Sequence, residues 1–320
     1  MIVRFGYVAM SVHLKNASPS QTMTVKQFEQ INNKDDAIRK LERIAISNLK
    51  NCYRLLKHNL ANDVTFFRFS SKLVPLVNHP YTKEWKYERP LAPQLKEIGE
   101  FIQKHKMRID FHPDHFVVLN NLDEKILKRS LETLIYHHKL LRGMDINPLH
   151  RCVLHIGGAK KGKISGLEDF VENFEKIPTT LQQMLMLEND DTVFHIEDAL
   201  YLGEKLQIPI VYDVHHHDVH QPENFSFSTI WQRIVHTWQN SPLPVKIHVS
   251  TPKEGGLDKK HHDYIDVDRL MRLLHEVKGS VEQIDVMIEA KMKDDALFKL
   301  MEQLKQRNDC SLLSEASIEI

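Results

Sequence analysis

The sequence predicts an α/β chain folded as a (β/α)8 barrel, and three observations predict it. Eight short runs rich in β-branched and aromatic residues alternate with longer stretches whose apolar residues recur at helical period. The segments after the first, second, sixth and seventh runs are long and polar (11–32, 70–91, 215–225 and 250–265), whereas several returns from helix to strand take only a few residues. Most of the runs also pass from apolar residues into His, Asp or Glu at their ends, the edge where such barrels build an active face.

Residues 2–9 open the chain as the first strand, and the polar stretch behind them leads into a helix over 35–59. There Ala37, Ile38, Leu41, Ile44, Ala45, Leu49, Cys52 and Leu56 form one stripe, with Asn33 or Asp35 placed to cap the start. Strands then read over 64–69, 107–111, 152–156, 185–188, 210–214, 245–249 and 284–289, each short and nearly all apolar, as parallel strands covered on both faces are. The intervening helices read over 93–106, 123–143, 165–181, 194–207, 226–240, 266–278 and 293–307. With no repeat or linker, residues 1–320 make one domain, and the segment from about 308 is expected to fray.

Lys plus Arg and Asp plus Glu number 43 each, so the chain has no global charge argument for nucleic acid; any such argument is local. The three cysteines, Cys52, Cys152 and Cys310, lack metal-site spacing. The N-terminus lacks the features of a secretory signal and no stretch approaches a membrane span, so a cytoplasmic location is expected. The compositional outlier is 20 histidines.

If the barrel closes, His112, His155, Glu188, Asp213, His248 and Glu289 converge from six successive strands on one mouth. Mixed imidazole and carboxylate donors suit Mn²⁺, Zn²⁺ or Fe²⁺, and carboxylates can bridge two ions. In VKIHVS (245–250), strand alternation puts Lys246 on the face of His248. A buried lysine there has two readings: a carbamate formed with CO₂, which is an anionic bidentate ligand, or an ammonium paired with Glu188 or Glu289. Gly157, Gly162 and Lys163 begin a P-loop pattern, but Ile164 stands where Ser or Thr must be. The loop is instead a basic one, offering Lys160, Lys161 and Lys163 to phosphates. Lys259 and Lys260 form a similar rim, and Tyr81, Trp85 and Tyr87 are candidates for stacking on exposed bases.

These residues resemble a known family. Gly6-Tyr7, NASPSQTMT, FRFSSKLVPLVNHP, HPDHF, LHIGG, LENDD, YDVHHH, KIHVS and MIEAK follow one another as in the UV damage endonucleases, especially the Bacillus-type bacterial members. The resemblance implies a barrel similar to endonuclease IV, up to three divalent ions, Mn²⁺ for preference, and nicking of UV-damaged duplex DNA on the 5′ side of cyclobutane dimers and (6-4) photoproducts, leaving a 3′-hydroxyl. It implies no membrane and no obligate protein partner. Its ligands fall on His79, His112, His155, Glu188, Asp213, His216, His248, His261 and Glu289, and its modified lysine on Lys246. Glu188, Glu289, Lys246 and His248 are then the catalytic set. Alternation from Asp213 nominates His215 instead of His216, which requires the strand to end by Val214. His115 and Phe116 fall on the lesion-probing positions, where many members carry Gln-Tyr, and Phe116 and Tyr7 are candidates for filling the gap left by an extruded lesion. A sugar isomerase or epimerase on the same barrel, an abasic-site nuclease, and a noncatalytic DNA-binding protein are the competing readings.

Overall fold

The computed structural model describes residues 1–223 and 225–320. Eight strands, β1 (Ile2–Val8), β2 (Phe66–Arg68), β3 (Arg108–Asp110), β4 (Cys152–His155), β5 (Leu185–Glu188), β6 (Ile210–Asp213), β7 (Val245–Val249) and β8 (Gln283–Ile288), lie parallel in the order 3-2-1-8-7-6-5-4. A single parallel bridge between Phe111 and Cys152 joins β3 to β4 and brings the sheet round to a nearly closed barrel. The expected strands all form, within two residues of their expected ends.

The main core lies between the outer face of the barrel and the helices. Val3, Phe5, Tyr7 and Phe67 point into it, against Leu49, Cys52 and Leu56 of the helix Lys34–Ala61. That helix is amphipathic as predicted, and the Asn33 side chain accepts from the N–H groups of Asp35 and Asp36, satisfying donors the first turn leaves open.

The inside of the barrel is layered differently. Toward the N-terminal ends of the strands sits an ionic layer. Arg4 Nε donates to Asp285 at 2.9 Å, Arg108 Nη1 to Asp285 at 2.8 Å and Arg108 Nε to Asp110 at 3.2 Å, and Lys246 Nζ lies 3.2 Å from Asp110. On the β1–β2–β8 side, Val8, Phe66 and Met287 form a separate apolar patch. The candidate ligands lie past it, at the C-terminal mouth.

The segment from about 308 does not fray. Ser311–Ser314 and Ser317–Glu319 form a β-hairpin, β9 and β10, and β10 runs antiparallel to the first half of β1. Ile318 is fully buried there, so the short stretch is held by a ladder and an apolar anchor that a search for long periodic elements misses. No helix among the described residues is long and apolar enough to cross a membrane.

Candidate metal centre

Six strand ends deliver the predicted donors, and Glu188 stands at their middle. Its Oε1 lies 3.0 Å from Nε2 of both His112 and His155, and its Oε2 lies 2.6 Å from His248 Nδ1. Two groups of three potential ligands result, His112–His155–Glu188 and Glu188–Asp213–His248, with Glu188 common to both. His248 is fully buried and also has Asp213 Oδ2 at 3.8 Å and Glu289 Oε1 at 3.3 Å.

The donors fit divalent ions. Glu188 Oε2, Asp213 Oδ2 and both ring nitrogens of His248 are buried without a hydrogen-bond partner, although His248 Nδ1 is close to Glu188. Buried polar atoms are rarely left so unless they serve something further. In addition, three histidines can donate Nδ1–H to a backbone carbonyl: His112 to Pro113 at 3.0 Å, His216 to Asn189 at 2.9 Å and His261 to Glu289 at 2.8 Å. That tautomer leaves each Nε2 lone pair for a metal.

Local structure sets His215 and His216 apart. β6 ends at Asp213, which caps the short helix Val214–Val219 by accepting the His216 N–H at 2.8 Å. His216 is thereby turned to the mouth. His215 has both nitrogens engaged, with Ser250 Oγ at 2.6 Å and the Asp258 carbonyl at 2.7 Å. Asn189 fixes the Asp213 backbone through both its N–H and its carbonyl.

Without metal, Glu188 and Glu289 are held ionised. Burial disfavours charge on Glu188, but His155, His112 and His248 keep its carboxyl well below the usual range. For Glu289 burial is likewise outweighed by Arg68 and His248, which hold it low. Burial works against a charged His216, yet Asp213, Glu188 and Glu289 push its pKa up to about 9. His155 and His112 share Glu188 unequally: burial lowers His112, whereas Glu188 raises His155 despite burial.

The remaining predicted residues divide. His79 caps a short turn in the loop after β2, accepting the Tyr81 N–H at 3.3 Å, and it belongs to neither three-ligand group. His261 sits beside His215 and holds the Glu289 carbonyl. Lys246 shares the interior face with His248 as predicted, but its ammonium neighbour is Asp110, not Glu188 or Glu289. His115 and Phe116 are exposed, Phe116 at 65%. Lys160 and Lys161 are exposed on the loop, which Asn120 ties down through both the N–H and the carbonyl of Gly158.

Three expectations are corrected. Tyr7 alternates with Gly6 and Val8, so its ring faces the helices; it is fully buried and its hydroxyl donates to Asn59, out of reach of DNA. Lys163 is bound to Asp198 at 2.6 Å and is not a free phosphate ligand. Tyr87 is buried, Trp85 packs on the core and donates to Glu42, and Tyr81, though exposed, is stacked on Phe28 and bonded to Glu29, so this trio is not a free stacking platform. Arg68, on the interior face of β2, was missed; it pairs with Glu289. Its place inside FRFSSK was the available signal, since an arginine two residues after Phe66 must share that residue's inward face.

The family model described as UV-endonuclease UvdE matches residues 3–320. A UV DNA damage endonuclease of Halalkalibacterium halodurans is 58% identical over 100% of this chain and 99% of its own. The crystal structure of SacUVDE superposes with a TM-score of 0.83 at 30% identity, covering 96% of this chain and 99% of that one. Endonuclease IV from Thermus thermophilus superposes at 0.53 with 12% identity, covering 95% and 100%, which is a likeness of fold.

Proposed function

Because this chain belongs to the UV-endonuclease UvdE family and is thus a DNA repair endonuclease, we propose that it nicks duplex DNA on the 5′ side of cyclobutane dimers and (6-4) photoproducts in a metal-dependent reaction. The observation that supports this reading best is the pair of three-ligand groups sharing Glu188. His112, His155, Glu188, Asp213, His248 and Glu289 would hold two ions, and His79, His216 and His261 would complete a third place; Mn²⁺ suits the donor mixture. When bound, such ions lower the pKa of a coordinated water and neutralise charge on the phosphate and its leaving oxygen.

The chain's own residues do the rest. Glu188 keeps its charge at neutral pH in a buried site, the Asp213 carboxylate is fixed by accepting the His216 N–H, and the carbonyl-anchored Nδ1 atoms of His112, His216 and His261 hold those rings in the ligating tautomer. Water attacks the phosphorus and the 3′ oxygen leaves as a hydroxyl, so no covalent intermediate on a side chain is required. Lys246 has its pKa brought down to about 8, by burial first and by Arg108 and Arg68 against the pull of Asp110. A fraction of neutral amine is then present for CO₂; forming the N–C bond would release one proton and give a carbamate that Asp110 would repel and that could serve as an anionic ligand to a bound ion. Phe116 fills the gap left by an extruded lesion, which costs less to unstack than normal bases, and Lys160 and Lys161 track the backbone.

Purified protein with Mn²⁺ and a duplex carrying one cyclobutane dimer tests the proposal. A nick on the 5′ side leaving a 3′-hydroxyl is expected; cutting confined to abasic sites would overturn the photoproduct reading, and full activity after metal removal would overturn the metal reading.

A further inference from the structure

The cations inside the barrel are not equivalent. Arg4 and Arg108 pair with Asp285, and Arg108 and Lys246 with Asp110, carboxylates that lie in the ionic layer below the ligands. Arg68 differs: among the described residues it is the one Lys or Arg whose ion-pair partner, Glu289, is a candidate metal ligand. It stands on β2 one alternation beyond Phe66 and pairs in register with Val8, so its stem lies beside the patch of Val8, Phe66 and Met287. Its side chain is 16% exposed, and Glu289 is its single side-chain acceptor among the described residues. A guanidinium has five N–H donors, so most of this one's have no side-chain acceptor among the described residues.

Charge says what they face. Glu188, Asp213 and Glu289 against Arg68 leave the mouth with two net negative charges when its imidazoles are neutral. Two divalent ions would reverse that sign even with Glu289 counted, so a guanidinium beside them with donors to spare is stabilised by a further anion at the mouth. We propose that Arg68 is a catalytic residue that binds a non-bridging oxygen of the scissile phosphate, with Glu289 aiming its fork; this rests on the nuclease reading above. Planar paired donors suit a phosphodiester better than the single point charge of a lysine does.

The test compares wild type, Arg68→Met and Arg68→Lys for bound Mn²⁺ per chain, single-turnover nicking of a dimer-bearing duplex, and affinity in Ca²⁺ for that duplex with either a phosphodiester or a neutral methylphosphonate at the linkage 5′ to the dimer. Arg68→Met should keep wild-type Mn²⁺ content and lose about 10²–10³-fold in rate, as for removal of one oxyanion donor. Wild type should prefer the charged linkage, and Arg68→Met should lose about tenfold of that preference, one charge-assisted hydrogen bond's worth, keeping only the part due to the ions. Arg68→Lys should fall between. Loss of activity in proportion to lost Mn²⁺ would reduce Arg68 to a prop for Glu289, and an unchanged linkage preference would remove it from the phosphate site. Wild type that binds Mn²⁺ yet leaves the dimer duplex intact would instead sink the nuclease reading itself.

Discussion

Glu188→Gln strikes the one side chain common to both halves of the centre. The carboxylate offers Oε1 to His112 and His155 and Oε2 to His248, so an amide removes the charge and turns one of those two faces into a donor. Altering an outer-shell partner of a metal costs about 10–100-fold in affinity, and loss of a direct, shared ligand should reach at least the upper end, about 100-fold. Thermal unfolding reads this out: free Mn²⁺ at about 100 times its wild-type dissociation constant stabilises the fold by about 2.7 kcal/mol per site, and a 100-fold weaker site by about 0.4 kcal/mol. At about 2 °C per kcal/mol for a chain of this size, the Mn²⁺-induced rise in Tm should shrink from about 5 °C per site to about 1 °C. Differential scanning calorimetry of both proteins, each with EDTA and with Mn²⁺, measures it, and circular dichroism confirms the fold. An undiminished Mn²⁺ shift in Glu188→Gln would refute the placement of Glu188 at the shared position.

The remaining predictions concern protons, DNA and the last strands. His216 is raised to about 9 in the metal-free fold, so its protonation contributes stability that is fully present below its ordinary pKa near 6.5 and is lost as pH rises through about 9; urea titrations in EDTA should show that decline, and Mn²⁺ binding near pH 7.5 should release protons, seen as a calorimetric enthalpy that varies with the buffer. Phe116→Ala should leave Tm unchanged, because the ring is exposed, and should cost about 1–3 kcal/mol of the preference for damaged over undamaged duplex in fluorescence anisotropy. Replacing Lys160 and Lys161 with Gln should weaken both duplexes alike and flatten the log–log salt dependence by about 1.8 units. Ile318→Asp should destabilise the whole barrel by about 3 kcal/mol or more in urea unfolding, since it places an unpaired charge on the buried face of β10; a change confined to the terminal hairpin would mean that β10 is an ornament.

Much of the fold was legible because parallel strands buried on both faces must be short apolar runs, and their polar ends stand out against that background. The six donors on strand ends were readable for the same reason. His79 and His261 were nominated only through family resemblance, since loop geometry leaves no period to count. The failures have one cause in common: alternation decides which side of the sheet a residue faces, but not what meets it there. Tyr7 and Arg68 sit on opposite sides of their strands, so the tyrosine went to the helices and the arginine to the mouth. Lys246 was placed on the correct face, yet its partner, Asp110, comes from a strand far away in sequence. The hairpin β9–β10 is too short for a periodic signal and is stabilised by its pairing with β1.

The barrel is hooped unevenly. Every neighbouring pair of strands shares a ladder of at least two registered pairs except β3 and β4, which meet through the bridge at Phe111 and Cys152. His112 follows β3 and His155 ends β4, so the two imidazoles stand on either side of that seam, each leaning on Glu188. An ion gripped by both would act as a rivet across the weakest join of the wall. Amide deuterium uptake along β3 and β4 should therefore slow on metal loading more than anywhere else in the sheet, and the empty protein should open there first, like a barrel with one stave loose.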